Sequence, residues 1–237
     1  MQIFLVDTSS LNLDDKAIKN YEALLSKEEK KRLNRTSALK AKTSFVVGRV
    51  LIKTTLAKIL NCKPTDIILR ATPKGRLELE FPISNLSFNL SHSNNLVVLG
   101  VSDMRIGIDI EFIKKRNFVE IAESFFTAEE FNLLKKANSL EEQQNLFYKY
   151  WTLKEAFIKC NGEQIFNKSS NGPDKNYQLA SLQINQNYIM SIVVNKGNSS
   201  FQMPESFEVK RITNFQSSEI LLYQFSSLEG NWYVENL

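Results

Sequence analysis

The sequence predicts an α+β protein, and three observations carry that expectation. Capping-box patterns open helices at Ser26, Thr127 and Ser139, each with a glutamate three residues later. A strongly apolar run from Phe45 to Leu60 reads as a core helix. Short segments of alternating apolar and polar residues, many in the last third of the chain, read as strands separated by turn residues.

Taken in order, Met1 to Asp7 is a first strand: it lacks the charged start and long apolar run of a signal peptide. Ser26-Lys27-Glu28-Glu29 opens a helix whose basic side chains continue through Arg35 to Lys40 and Lys42. This basic face is either solvated, with Glu28 and Glu29 as counter-charges, or a contact surface. The core helix ends at Asn61, and Arg49 within it has no clear assignment. Pro64-Thr65-Asp66 breaks the chain before a short strand, Ile67 to Leu69. Thr72-Pro73-Lys74-Gly75-Arg76 then supplies turn chemistry ahead of the alternating Leu77 to Glu80. Phe88 to Leu90 is a strand running into Ser91-His92-Ser93, and Leu96 to Val101 is a buried one.

Lys114-Lys115-Arg116 is a basic loop, followed by an apolar helix, Phe118 to Phe126, and by the helices opened at Thr127 and Ser139. The last of these runs through Trp151 to a cap at Gly162. Residues 163–176 are rich in Asn, Ser and Gly and read as a loop. Strands follow at Leu179 to Ile184, Tyr188 to Val194, Phe207 to Ile212, Ile220 to Phe225 and Trp232 to Val234, the first pair turned by Asn185-Gln186-Asn187.

A chain of 237 residues suffices for one large domain or two smaller ones. The net charge of +4 is too small to imply nucleic acid, but it suits an anionic ligand or an acidic partner. No stretch approaches the ~20 apolar residues of a membrane span. Cys62 and Cys160, far apart and without metal-ligand spacing, read as buried or idle thiols of a reducing cytosol.

The chemistry concentrates in two stretches. In Gly107-Ile108-Asp109-Ile110-Glu111, strand alternation sends the isoleucines to one face and sets Gly107, Asp109 and Glu111 on the other. Two carboxylates on one face suit a hard cation such as Mg²⁺, and the bare Gly107 would let a bulky anion approach the backbone. A solvated strand edge gives the same pattern. About 40 residues on, Trp151, Glu155 and Lys159 fall at i, i+4 and i+8 along one helix face. An ordinary surface ion pair has this spacing too, but a tryptophan at the head of the stripe calls for partial burial. Buried Glu155 and Lys159 then need partners: a metal for the first, a phosphate for the second.

Gly107-Ile108-Asp109-Ile110-Glu111, followed by Trp151-Thr152-Leu153-Lys154-Glu155-Ala156-Phe157-Ile158-Lys159, resembles the paired signature of the 4′-phosphopantetheinyl transferases, in the long monomeric surfactin-type branch. Phe88-Asn89-Leu90-Ser91-His92-Ser93 is similar to that branch's upstream motif. The resemblance implies two similar α/β halves related by pseudo-two-fold symmetry, 1–103 and 104–237, with the active site in the cleft between them. It also implies a reaction: the 4′-phosphopantetheine arm of coenzyme A passes to a serine of an apo carrier protein, releasing adenosine 3′,5′-bisphosphate. Carried over by position, Arg32 meets the 3′-phosphate, and Lys74, Gly75 and Arg76 form the loop that cradles adenine, with Lys74 and Arg76 near phosphates. Ser91 and His92, the chain's single histidine, bind coenzyme A phosphates. Asp109, Glu111 and Glu155 hold Mg²⁺; Lys159 and His92 stabilise the leaving phosphate; Glu155, directly or through water, takes the serine proton. One departure stands out: Leu77 occupies a position where members often have proline. A cytoplasmic monomer, with no nucleic acid or membrane partner, is the corresponding expectation.

Two other readings stand beside this one, the first on the same carboxylates and basic residues. A Mg²⁺-dependent phosphohydrolase would consume coenzyme A without a carrier protein. A non-catalytic module would bind an acidic partner through the Lys27 to Lys42 surface alone.

Overall fold

A computed structural model describes residues 1–11, 13–115, 117–162, 175–203, 209–212 and 232–235. Among these, helices and mostly antiparallel strands follow one another along the chain, an α+β arrangement divided into two compact units. The first comprises Met1–Asp103 and a late strand; the second begins at Met104.

In the first unit, β1 (Gln2–Asp7), β4 (Ser87–Ser93), β5 (Leu96–Ser102) and β9 (Val209–Ile212) form one sheet in the order β4-β5-β1-β9. The β1–β9 pair is parallel and the other two are antiparallel. Between β1 and β4 run α1 (Asp15–Lys19), α2 (Lys27–Arg35), α3 (Leu39–Leu60) and a two-stranded ribbon of β2 (Ile68–Ala71) and β3 (Leu77–Phe81). Helix α3 lays Val47, Leu51 and Ile52 on Phe4, Val6, Val97 and Leu99 of the sheet, which forms this unit's core. It ends as the sequence predicts, with Asn61 left-handed at φ 52°. It starts earlier than the apolar run, at Leu39, and in its first turn Lys42 pairs with Asp15 of α1 at 2.8 Å. At the start of α2 both halves of the Ser26–Glu29 capping box are formed. The second Glu29 oxygen reaches Arg49 of α3 at 2.6 Å, which gives that unassigned arginine its partner.

The second unit has the sheet order β10-β7-β8-β6, all antiparallel: β6 (Arg105–Phe112), β7 (Tyr177–Ile184), β8 (Tyr188–Asn195) and β10 (Trp232–Glu235). Between β6 and β7 lie α4 (Phe118–Phe125), α5 (Ala128–Lys136) and the long α6 (Leu140–Asn161). Thr127 forms its full capping box. Ser139 caps α6, while Glu142 reaches one residue further back, to the Asn138 N–H. Asn185 and Gln186 turn β7 into β8 with φ of 41° and 58°. The expected strand from Ile220 to Phe225 and the loop at 163–174 lie outside the described residues.

The same order of elements occurs in each unit. A first strand (β1, β6) leads to a 22-residue helix (α3, α6) and then to a hairpin (β4-β5, β7-β8), whose second strand pairs antiparallel with the first.

Candidate active site

On β6, Ile106, Ile108 and Ile110 are buried on one face, and Gly107, Asp109 and Glu111 alternate to the face that α6 covers. Gly107 does not leave room for an anion. A Cβ built there would lie 1.9 Å from the carbonyl oxygen of Ala156 and 2.5 Å from the amide nitrogen of Cys160. The helix backbone itself fills that space, which corrects the expectation of an open approach. Strand and helix touch here because the strand has nothing to hold them apart.

That contact brings the α6 stripe to the carboxylates. Lys159 donates from Nζ to Oδ1 of Asp109 at 2.5 Å, the aspartate side chain being 6% exposed and the lysine's 29%. Glu155 lies within the same field. Burial pushes its carboxyl up, the charges of Asp109 and Glu111 push it further, and Lys159 pulls it down. Asp109, Glu111, Glu155 and Lys159 therefore form one electrostatic cluster within the second unit. At the head of the stripe Trp151 is half-buried, stacked on Phe147 at 6.0 Å and met edge-on by Phe125 at 5.8 Å.

Among the described residues no three His, Cys, Asp or Glu side chains are grouped so as to hold a metal ion as they stand, Asp109 being drawn to Lys159. The donor chemistry nonetheless suits a hard divalent cation: three carboxylates supply only oxygen, and their mutual repulsion at Glu155 is what a cation would relieve.

Sequence reasoning missed the residues that hold α6 in place. Lys154, one position before Glu155, turns the other way and is buried; its ammonium meets Glu130 of α5 at 2.8 Å and lies over the Phe126 ring. Arg105 donates to the Cys160 carbonyl at the last turn of α6, where a cation suits the helix dipole. Thr152 is buried against Ser191 of β8. None of these partners is near in sequence, so no local spacing announced them. A separate cavity of about 440 Å³, lined among others by Glu141, Asn145, Lys149, Ser181 and Leu182, contains none of the expected site residues.

In the first unit, Ser91 is buried on β4 and His92 is exposed beside it. The Thr72–Arg76 loop closes through Thr72 N–H to the Arg76 carbonyl at 2.7 Å and Gly75 N–H to the Thr72 carbonyl at 2.8 Å. Arg76 then fastens the loop to β4, its guanidinium donating to Ser87 Oγ and the Phe88 carbonyl, each at 3.1 Å. Arg76 is thus tied to the strand that carries Ser91 and His92, while Lys74 and Gly75 remain exposed at the tip. Arg32 is exposed on α2; its guanidinium lies 5.0 Å from the Phe45 ring centre, and that of Arg49 4.9 Å from the same ring.

Compared with known proteins, residues 105–192 match the family model described as the 4′-phosphopantetheinyl transferase superfamily, and residues 14–104 match a model of the N-terminal part of 4′-phosphopantetheinyl transferases. The chain is 33% identical over 159 residues to 4′-phosphopantetheinyl transferase HetI of Nostoc sp., covering 65% of this chain and 67% of that protein. It is 34% identical over 168 residues to 4′-phosphopantetheinyl transferase psf-1 of Bacillus pumilus, covering 70% of each. With 4′-phosphopantetheinyl transferase gsp of Aneurinibacillus migulanus it shares 32% identity over 142 residues, 60% of this chain and 58% of that protein.

Proposed function

The chain belongs to the 4′-phosphopantetheinyl transferase superfamily and is a transferase of that class, and from this premise we propose that it moves the 4′-phosphopantetheine arm of coenzyme A to a serine of an apo acyl or peptidyl carrier protein. The observation that carries the reading is the cluster of Asp109, Glu111 and Glu155 around Lys159, inside the segment that the superfamily model matches.

The serine Oγ attacks the phosphorus that bears the pantetheine arm. The bond to the bridging pyrophosphate oxygen breaks, and adenosine 3′,5′-bisphosphate leaves. Glu155 takes the serine proton, directly or through water. Lys159 exchanges its aspartate partner for the leaving phosphate, a move that its partial exposure permits. His92 and Ser91 bind phosphate oxygens of coenzyme A, Arg32 its 3′-phosphate, and the Lys74–Arg76 loop its adenine. Asp109, Glu111 and Glu155 would hold Mg²⁺, which when bound supplies charge neutralisation at the pyrophosphate. The protein acts as a cytoplasmic monomer in this proposal; among the described residues no helix is long and apolar enough to cross a membrane.

The test is intact-protein mass spectrometry of apo carrier proteins incubated with the enzyme, coenzyme A and Mg²⁺, with an EDTA control. A mass gain of one phosphopantetheine arm that EDTA abolishes is the expected result. Loss of coenzyme A with no gain on any carrier would replace this reading with the phosphohydrolase one.

A further inference from the structure

Helix α6 meets the sheet through apolar packing of Leu153, Ala156 and Cys160 on Leu179 and Val193, and beside it through one polar row. Asp109, Ser191 and Ser181 stand opposite one another on β6, β8 and β7, so their side chains share a face. Above them sits Thr152 of α6; Thr152 and Ser191 have no exposed surface, and Ser181 has 3%. The hydroxyls of Thr152 and Ser191 are 2.7 Å apart, those of Ser191 and Ser181 2.8 Å. Thr152 also lies 2.9 Å from the Tyr148 carbonyl, which can only accept. Its proton therefore goes there, Ser191 donates to Thr152, and Ser181 donates to Ser191.

We propose that this hydroxyl row, through Thr152 and Ser191, positions α6 so that Glu155 and Lys159 face Asp109, a role that rests on the function proposed above. Thr152, Glu155 and Lys159 fall at i, i+3 and i+7, on one side of the helix. A slip of one residue would move the helix ~1.5 Å along its axis and turn it by ~100°. An aliphatic contact at Thr152 would tolerate small rotations, because packing of apolar surface is non-directional. A buried hydroxyl row does not, since any displacement strands a donor. The backbone contact at Gly107 sets how close the helix comes; the row sets which way it faces.

The test compares wild type with T152V, which keeps the shape and loses the hydroxyl, and with T152S, which keeps the hydroxyl. The full-length chain is assayed for transfer to an apo carrier protein and, without substrates, for Mn²⁺ affinity by calorimetry, with thermal unfolding as the measure of fold. The expected result for T152V is a loss of about tenfold in both kcat and Mn²⁺ affinity, the scale found for groups that orient metal ligands indirectly, with KM for coenzyme A within about twofold. T152S should restore both. S191A, which cuts the row at its centre, should reproduce the T152V pattern, and it decides the matter if T152V does not fold. A folded T152V or S191A that keeps wild-type kcat and Mn²⁺ affinity would overturn the positioning role and leave the proposed function standing. A wild type that transfers nothing and binds no Mn²⁺ would instead remove the function on which the role rests.

Discussion

Gly107 and Ala156 meet backbone to backbone, so closely that a side chain on the glycine would stand 1.9 Å from the alanine carbonyl oxygen. Neither backbone can yield as a flexible side chain would. Gly107→Ala should therefore destabilise the protein by about 3 kcal/mol, the upper part of the overpacking range. Transfer should fall more steeply than stability, because lifting α6 withdraws Glu155 and Lys159 from Asp109. Urea midpoints and turnover, measured on the fraction still folded, separate the two effects.

Asp109→Ala removes one proposed metal ligand and the partner of Lys159. The lysine is partly exposed and can turn to water, so the stability cost should stay within about 1 kcal/mol. Transfer should be abolished. Near-normal turnover by a folded D109A protein would remove the aspartate from the metal site.

Glu155→Gln carries a signed pH dependence. Burial and the charges of Asp109 and Glu111 raise the proton affinity of Glu155 in the folded state. Folded protein thus binds more protons than unfolded protein between the ordinary carboxyl range and the raised value. The stabilisation is complete below that range and is lost as pH rises through the raised value. Glutamine never ionises, so E155Q should match wild type in acid and exceed it at neutral pH by about 0.5 kcal/mol, the scale of one like-charge pair. Its transfer activity should fall by about a hundredfold or more. Equal urea midpoints at pH 4 and a higher E155Q midpoint at pH 8 are the outcome to look for.

Arg76→Lys keeps the charge and loses the forked donation to Ser87 and Phe88 that ties the loop to β4. If the loop cradles adenine, KM for coenzyme A should rise about tenfold while kcat changes little. An unchanged KM would separate this loop from nucleotide binding.

Much of this was legible because it is local. The capping boxes at Ser26 and Thr127 need only residues three apart, and both formed. The i+2 spacing of Asp109 and Glu111 and the i+4 spacing of Glu155 and Lys159 fixed which faces they share, and α6 brings the two faces together. The failures are tertiary. Whether the bare Gly107 admits a ligand or a helix depends on what packs over it. The burial of Lys154 depends on Glu130, 24 positions earlier and on another helix. The meeting of Ser191 and Thr152 spans 39 positions, beyond any local spacing.

Strand β9 gives the first unit a debt in time. Gln2–Asp7 is made about two hundred residues before Val209–Ile212, the strand that lies along its outer side. At translation speeds of about 5–20 residues per second, that side of β1 emerges from the ribosome roughly 10 to 40 seconds before its partner. An open β edge beside apolar residues such as Phe4 and Val6 is a template for pairing with other chains. Chains cut short before Val209 should therefore present a nascent sheet that seeks strangers, and chaperone occupancy should peak on ribosomes that have passed β5 and not yet released β9.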